Sequence, residues 1–183
     1  MYIETRYDRG IKDTLDQVKA LASPGLGETV FCRENGRVLT FDGELWMCDD
    51  FIKAQNVSGA TVVQGDTMVY VVGSSTNIAQ VTKSSVSADT LVSGVCVYSA
   101  LNLSSVAIAI KGIYKIKLLY FTTPTAIGGF VRTSSAGGGG NSELSTAMTS
   151  GFYAWTLQIP STPSASIPTL VRCLIRGKVE YYF

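Results

Sequence analysis

Val106-Ala107-Ile108-Ala109-Ile110-Lys111-Gly112-Ile113-Tyr114-Lys115-Ile116-Lys117-Leu118-Leu119-Tyr120 reads as two β-strands that meet at a glycine. The first, Val106 to Lys111, is a short apolar run of the length of a buried strand. The second, Ile113 to Tyr120, alternates, so Lys115 and Lys117 fall on one face and the apolar residues between them on the other. The two lysines form a small basic patch, read as a solvated strand face or an edge guarded against aggregation. Neighbouring sequence follows the same rhythm. Thr67 to Val72, Ala79 to Thr82, Leu91 to Ser99, Gly129 to Thr133, Phe152 to Ile159, Leu170 to Arg176 and Lys178 to Phe183 are strand candidates. A further one is bracketed by Ser58-Gly59 and Gln64-Gly65-Asp66. Turn residues recur about every 8 to 12 positions with no helix-period segment between strands, which points to an antiparallel sandwich or barrel and away from βαβ units.

The same stretch carries an internal echo. Ile110-Lys111-Gly112-Ile113-Tyr114 resembles Ile175-Arg176-Gly177-Lys178-Val179, Ser93-Gly94-Val95 resembles Ser150-Gly151-Phe152, and Val81-Thr82-Lys83-Ser84-Ser85 resembles Val131-Arg132-Thr133-Ser134-Ser135. The pairs occur in one order, with loop insertions at Gly137 to Gly140 and Ser161 to Pro168, so the region reads as a duplicated β unit.

Upstream the chemistry changes. Residues 1–53 hold 7 basic and 10 acidic residues, whereas residues 54–183 hold 8 basic and 4 acidic, with 32 Ser or Thr in place of charge. The chain therefore divides into a charged N-terminal segment, 1–53, and a β-rich, low-charge domain, 54–183. Ile11, Leu15, Val18 and Leu21 at helical spacing predict a helix over about 11–22, stopped by Ser23-Pro24-Gly25. Thr29 to Glu34, Arg37 to Phe41 and Glu44 to Cys48 predict a three-stranded meander over 29–48, turning at Asn35-Gly36 and Asp42-Gly43 in two-residue hairpins. Val30, Cys32, Val38 and Trp46 are its candidates for a buried face.

Composition removes most chemistries. There is no His, which takes away the commonest general base and zinc ligand, and the net charge of +1 gives no whole-molecule field for nucleic acid or anionic lipid. The apolar runs are far too short to cross a bilayer as helices. Gly137-Gly138-Gly139-Gly140 lacks the Lys and Ser or Thr of a phosphate-binding loop and reads as a flexible surface loop. Asp49, Asp50 and Asp66 lack the spacing of a cation loop and read as turn residues. Cys32, Cys48, Cys96 and Cys173 stand singly and read as small buried apolar groups, a Cys32–Cys48 disulfide being the alternative. No catalytic, cofactor-binding or metal-binding residue is assigned. Met1 to Gly10 carries Glu4, Arg6, Asp8 and Arg9 with no apolar stretch behind, so the chain is expected to stay in the cytosol where it is made. A body with 12 charges in 130 residues predicts that part of its exterior meets other subunits.

Gly65-Asp66-Thr67-Met68-Val69, Ser93-Gly94-Val95 and Ile110-Lys111-Gly112-Ile113-Tyr114 resemble segments of small β-rich virion proteins of tailed bacteriophages, most of all capsid cement or decoration proteins. Glu34 to Trp46, with an Asp-Gly turn ahead of a Trp, is similar to hairpins of phage fibre and tail proteins. The resemblance implies a non-enzymatic homo-oligomer, a trimer, that binds the major capsid protein on the capsid surface of the virion, is made in the bacterial cytoplasm and touches neither membrane nor nucleic acid. The alternative it implies is a tail or fibre module for host glycans, with Tyr153 and Trp155 as groove aromatics. Shell contact is assigned to Tyr2, Arg6, Tyr7 and Arg9, and a docking strand to Tyr181, Tyr182 and Phe183.

Overall fold

A computed structural model describes residues 8–72, 78–85, 91–120, 128–134, 139–145, 152–158 and 164–176. The chain is mainly β. It forms one four-stranded sheet and two closed five-stranded barrels.

The sheet is built from β1 (Asp8–Lys12), β2 (Thr29–Cys32), β3 (Arg37–Phe41) and β4 (Trp46–Met47), in that order. Helix α1 (Leu15–Lys19) lies between β1 and β2, which run parallel. The helix is thus shorter than its apolar spacing predicts, because Ile11 pairs with Phe31 in the sheet and Thr14 starts the helix anew. The Thr14 hydroxyl accepts the Gln17 backbone N–H and the Gln17 side chain returns to Thr14, a capping box that fixes the first turn. The predicted meander is present as β2, β3 and β4, but its turns are four residues long. Cys32 pairs with Arg37 and Phe41 with Trp46, and Gly36 and Gly43 take positive φ. This register sets Leu39 opposite Val30 and Val38 opposite Phe31. Val30, Cys32, Leu39 and Trp46 are buried, as three of the four expected residues were to be, while Val38 turns outward at 56% exposure.

The first barrel contains β5 (Phe51–Asn56), β6 (Thr67–Tyr70), β7 (Gln80–Lys83), β8 (Val92–Cys96) and β9 (Ser105–Ala109). The second contains β10 (Gly112–Tyr120), β11 (Phe130–Thr133), β12 (Ser142–Ser145), β13 (Phe152–Thr156) and β14 (Ser164–Ile175). The charge break at residue 53 falls inside β5. The stretch between Gly59 and Gln64 is not a strand and contributes a single bridge, Val62 to Ala100.

Both barrels have the same ring order: first strand, third, second, fourth, fifth and back to the first. In each, the first and third strands are parallel and every other pairing is antiparallel. Register agrees as well as topology. Met68 lies opposite Gly94 and Lys83, as Val131 lies opposite Ala154 and Leu144, and a register shift follows Met68 and Val131 alike. Asn56 lies beside Val81 as Leu118 lies beside Ser142, and Ala109 faces Phe51 as Leu174 faces Ile113. Two units that agree in pairing, direction and bulge position are two copies of one plan.

This equivalence tests the three internal echoes separately. Ala109 corresponds to Leu174, so Ile110 falls on Ile175 and that echo is in register. Ser93-Gly94-Val95 falls on Tyr153-Ala154-Trp155, on the expected strand but three residues past Ser150-Gly151-Phe152. Val81 to Ser85 begins in a third strand and Val131 to Ser135 in a second, so that echo is coincidental.

The interior of the first barrel is apolar, with Ala54, Met68, Val81, Cys96, Val106 and Ile108 buried together. Equivalent positions of the second barrel hold Ile116, Val131, Val171 and Cys173, which join one larger cluster with α1, the inner face of the N-terminal sheet and the outside of the first barrel.

Candidate interaction surfaces

The three parts are held together by buried carboxylates. Asp66, a residue of a predicted turn, is 1% exposed at the junction of the barrels. Its carboxylate accepts Lys117 Nζ at 2.6 Å and Val63 N–H at 2.9 Å, with Lys83 Nζ at 3.2 Å. Asp50, also buried, accepts Arg37 Nε at 2.6 Å and the Tyr114 hydroxyl at 3.3 Å, tying β3 to both barrels. Glu34 bonds the first amide of α1 at 2.8 Å and pairs with Lys115 Nζ at 2.6 Å. Lys115 and Lys117 are therefore not a solvated basic patch: each reaches a carboxylate of another part of the chain. Alternation placed them on one face, but their partners are distant in sequence.

The barrel junction is dense. Thr67 Oγ1 lies 2.7 Å from Ser142 Oγ and 2.8 Å from the Tyr153 hydroxyl, and those two are 2.5 Å apart. Gly140, from the tract read as a surface loop, is buried here: its N–H donates to the Ser84 carbonyl and its carbonyl accepts Thr67 N–H, both at 2.7 Å. A Cβ on Gly140 would lie 3.1 Å from Asp66 Cγ, and its φ is +74°. Gly139 also has positive φ, while Gly137 and Gly138 lie outside the described residues. Tyr153 is not a groove aromatic. Burial pushes its phenol up, so the hydroxyl stays neutral and serves as a bridge between barrels.

All four cysteines are free, and Cys32, Cys96 and Cys173 are buried. Burial pushes the thiols of Cys96 and Cys173 up to about 12. Among the described residues no group of three His, Cys, Asp or Glu is arranged to hold a metal ion.

Of the sequence-assigned contact residues, Tyr2, Arg6, Tyr7, Tyr181, Tyr182 and Phe183 lie outside the described residues. Arg9 lies on β1, where its guanidinium donates to Glu28 at 2.5 Å and to the Ser23 carbonyl at 3.1 Å.

Two apolar surfaces escaped the sequence reading. On the outer face of the N-terminal sheet, Ile11, Phe31 and Val38 are direct cross-strand neighbours and are 56%, 36% and 56% exposed. On the outside of the second barrel, Phe130, Trp155, Leu174 and Ile113 form one row across β11, β13, β14 and β10. Phe130, Phe152 and Trp155 pack edge to face there. Leu157 and Leu174 on this side are about two-fifths exposed, at 40% and 39%. The signal was available in Leu170-Val171-Arg172-Cys173-Leu174-Ile175, a strand apolar on both faces, which calls for cover on both.

No family model matches the chain, and no curated protein sequence matches it. Among solved structures it is similar to the head fibre gp8.5 N base of bacteriophage phi29. The TM-score is 0.46 at 14% identity, over 72% of this chain and 98% of that one.

Proposed function

We propose that the chain is a non-enzymatic structural protein of a tailed-phage virion, of the capsid cement or decoration class. It acts as a homo-oligomer, a trimer, that lies on the capsid surface and ties neighbouring subunits of the major capsid protein. The observation that carries the reading is the outer row of the N-terminal sheet. Ile11, Phe31 and Val38 stand side by side facing water, between the ion pairs Arg9–Glu28 and Arg33–Asp13. A folded domain that leaves such a row open, rimmed by charge, has the anatomy of a surface kept for a partner. The N-terminal segment is then the part that meets the shell, and the barrels stand away from it. Binding to two neighbouring capsomers at once stabilises the assembled shell by mass action, and repetition over the lattice compensates for weak single contacts.

The test is co-sedimentation with undecorated, genome-free shells of the cognate phage. Wild-type chain is expected to saturate the shells, and Phe31→Glu/Val38→Glu, with unchanged circular dichroism, to leave them bare. Shells that stay bare with wild-type protein, or a double variant with wild-type occupancy, would overturn this reading. The fibre-module alternative places glycans against Trp155, and specific hits on a glycan array would favour it.

A further inference from the structure

The duplication supplies an internal control for one residue that the seam between the barrels leaves unsatisfied. Ser93 sits at the register shift of β8, where Met68 faces Gly94 but Val69 faces Val92. Tyr153 sits at the same shift of β13, where Val131 faces Ala154 but Arg132 faces Phe152. A bulge of this kind re-aims a side chain. In the second barrel the re-aimed group is a phenol, and its hydroxyl meets Thr67 and Ser142. In the first it is a serine, 7% exposed, whose Oγ has no hydrogen-bond partner among the described residues. The next position cannot carry a side chain in its place, because a Cβ on Gly94, at φ +149°, would collide with the Ala109 carbonyl. Beside Ser93 lies a cavity of about 60 Å³ walled by Tyr70, Val92, Ile110, Tyr153 and Ile175. Arg176 completes the lining as its one exposed and one charged residue, and its guanidinium forms no ion pair among the described residues.

We propose that this cavity is a binding niche for a carboxylate group, held by the Ser93 hydroxyl from inside and the Arg176 guanidinium from the open side. Size, charge and donors select the ligand. At about 30 Å³ for a water, the space takes roughly two water-sized groups, the bulk of a carboxylate head and far too little for a sugar ring or a nucleotide. The lining carries no acidic residue, so its one cation is free to meet an anion. A guanidinium offers paired N–H donors that match two carboxylate oxygens, and such charge-assisted bonds are the strong ones. A buried hydroxyl without a partner costs the empty protein stability, and a ligand oxygen removes that cost on binding. Ser93 then weakens the free chain and strengthens the complex, a trade common at binding sites. The group can arrive on a small free acid or on an aspartate side chain of a partner, and the chemistry recognised is the same. The inference rests on the duplicated fold and not on the shell contact.

Amide chemical-shift titration of the isotope-labelled full chain tests it, at constant ionic strength. The probes are sodium formate, its neutral isostere formamide, and a blocked tripeptide with aspartate at its centre. Formate or the tripeptide is expected to shift the Ser93, Gly94 and Arg176 amides saturably, and formamide to leave them in place. Tighter binding of formate assigns the niche to a free acid, tighter binding of the tripeptide assigns it to a partner's side chain, and either result supports the proposal. Ser93→Ala and Arg176→Gln, with unchanged far-ultraviolet circular dichroism, are each expected to weaken the tighter probe about tenfold. The proposal is overturned if neither carboxylate gives a saturable shift, or if the shifts fall only on other amides. Formamide binding as tightly as formate overturns it too, as does an affinity that either variant leaves unchanged.

Discussion

Replacing Lys83 and Lys117 together by Met should cost this protein far more than two surface charges, because both cations serve one buried carboxylate. At an effective dielectric of about 20, ion separations of 2.6 Å and 3.2 Å correspond to gross attractions of about 6 and 5 kcal/mol, most of it offset by the desolvation of Asp66. Either lysine alone can satisfy much of the charge, so Lys117→Met and Lys83→Met are each expected to lower stability by about 1–2 kcal/mol. With both gone, Asp66 keeps the Val63 N–H and no cation, and the loss should reach about 3–5 kcal/mol, the range for an orphaned buried ion. A third change discriminates. Asp66→Asn added to the double variant removes the orphaned charge and should restore at least about 2 kcal/mol, though the same substitution would be destabilising in the wild type. Urea unfolding at neutral pH, with m-values compared to confirm a common unfolded state, measures all six proteins, wild type included. A double variant that loses under about 1 kcal/mol, or an Asp66→Asn change that makes it worse, would refute the view that this charge is sealed between the barrels.

Gly65 has φ +85°, and an added Cβ would lie 2.5 Å from Leu170 Cδ2 and 3.1 Å from the Lys117 amide nitrogen, so Gly65→Ala should cost about 2–4 kcal/mol in the same assay. Ser93 Oγ is buried without a hydrogen-bond partner beside a cavity of about 60 Å³ lined by Tyr70, Ile110 and Ile175. Ser93→Ala should therefore raise stability by about 1 kcal/mol, and a loss would mean that the hydroxyl is satisfied by bound water. With thiols pushed up to about 12, Cys96 and Cys173 hold only ~10⁻⁴ of thiolate at pH 8. Native protein should then react with an aromatic disulfide reagent at Cys48 alone, the other three thiols following only after unfolding, and rapid labelling of Cys96 at pH 8 would contradict the packing.

Most of the β architecture was legible because strands in closed barrels alternate and end at turn residues. Tyr114, Ile116 and Leu118 face inward, and Lys115 and Lys117 outward, as the alternation of that stretch requires. What alternation could not supply was the partner of each outward group. Lys117 is joined to a carboxylate 51 positions away, and nothing local distinguishes it from a solvated lysine. The segment 51–56 was divided by the charge break because Lys53 and Gln55 point away from the barrel while Ala54 points in, so a composition boundary crossed a strand. Val38 was assigned to the wrong face although alternation alone excludes it: a two-residue and a four-residue turn both set the even positions of β2 against the odd positions of β3, so Leu39, and not Val38, shares a face with Val30 and Cys32. The duplication was visible in one echo of three. Short matches of Ser, Gly and Val recur in any β protein, whereas register round a closed ring must agree at every step.

That agreement gives the differences between the barrels their meaning. Thr67, Val95 and Ala109 in one row became Phe130, Trp155 and Leu174 in the other while the backbone plan stayed fixed. Small side chains suit the first row because a second barrel lies tightly against it, and the Thr67 hydroxyl is needed at that seam. Large ones would have been a solubility burden on the second row had water been its permanent neighbour. The charges follow the same division: Asp66 and its lysines lock the inner seam, while Arg172 stands exposed within the outer row. Two units of one plan thus differ in what their shared surface meets: one copy is sealed within the molecule, and the other carries larger apolar side chains that are only partly covered.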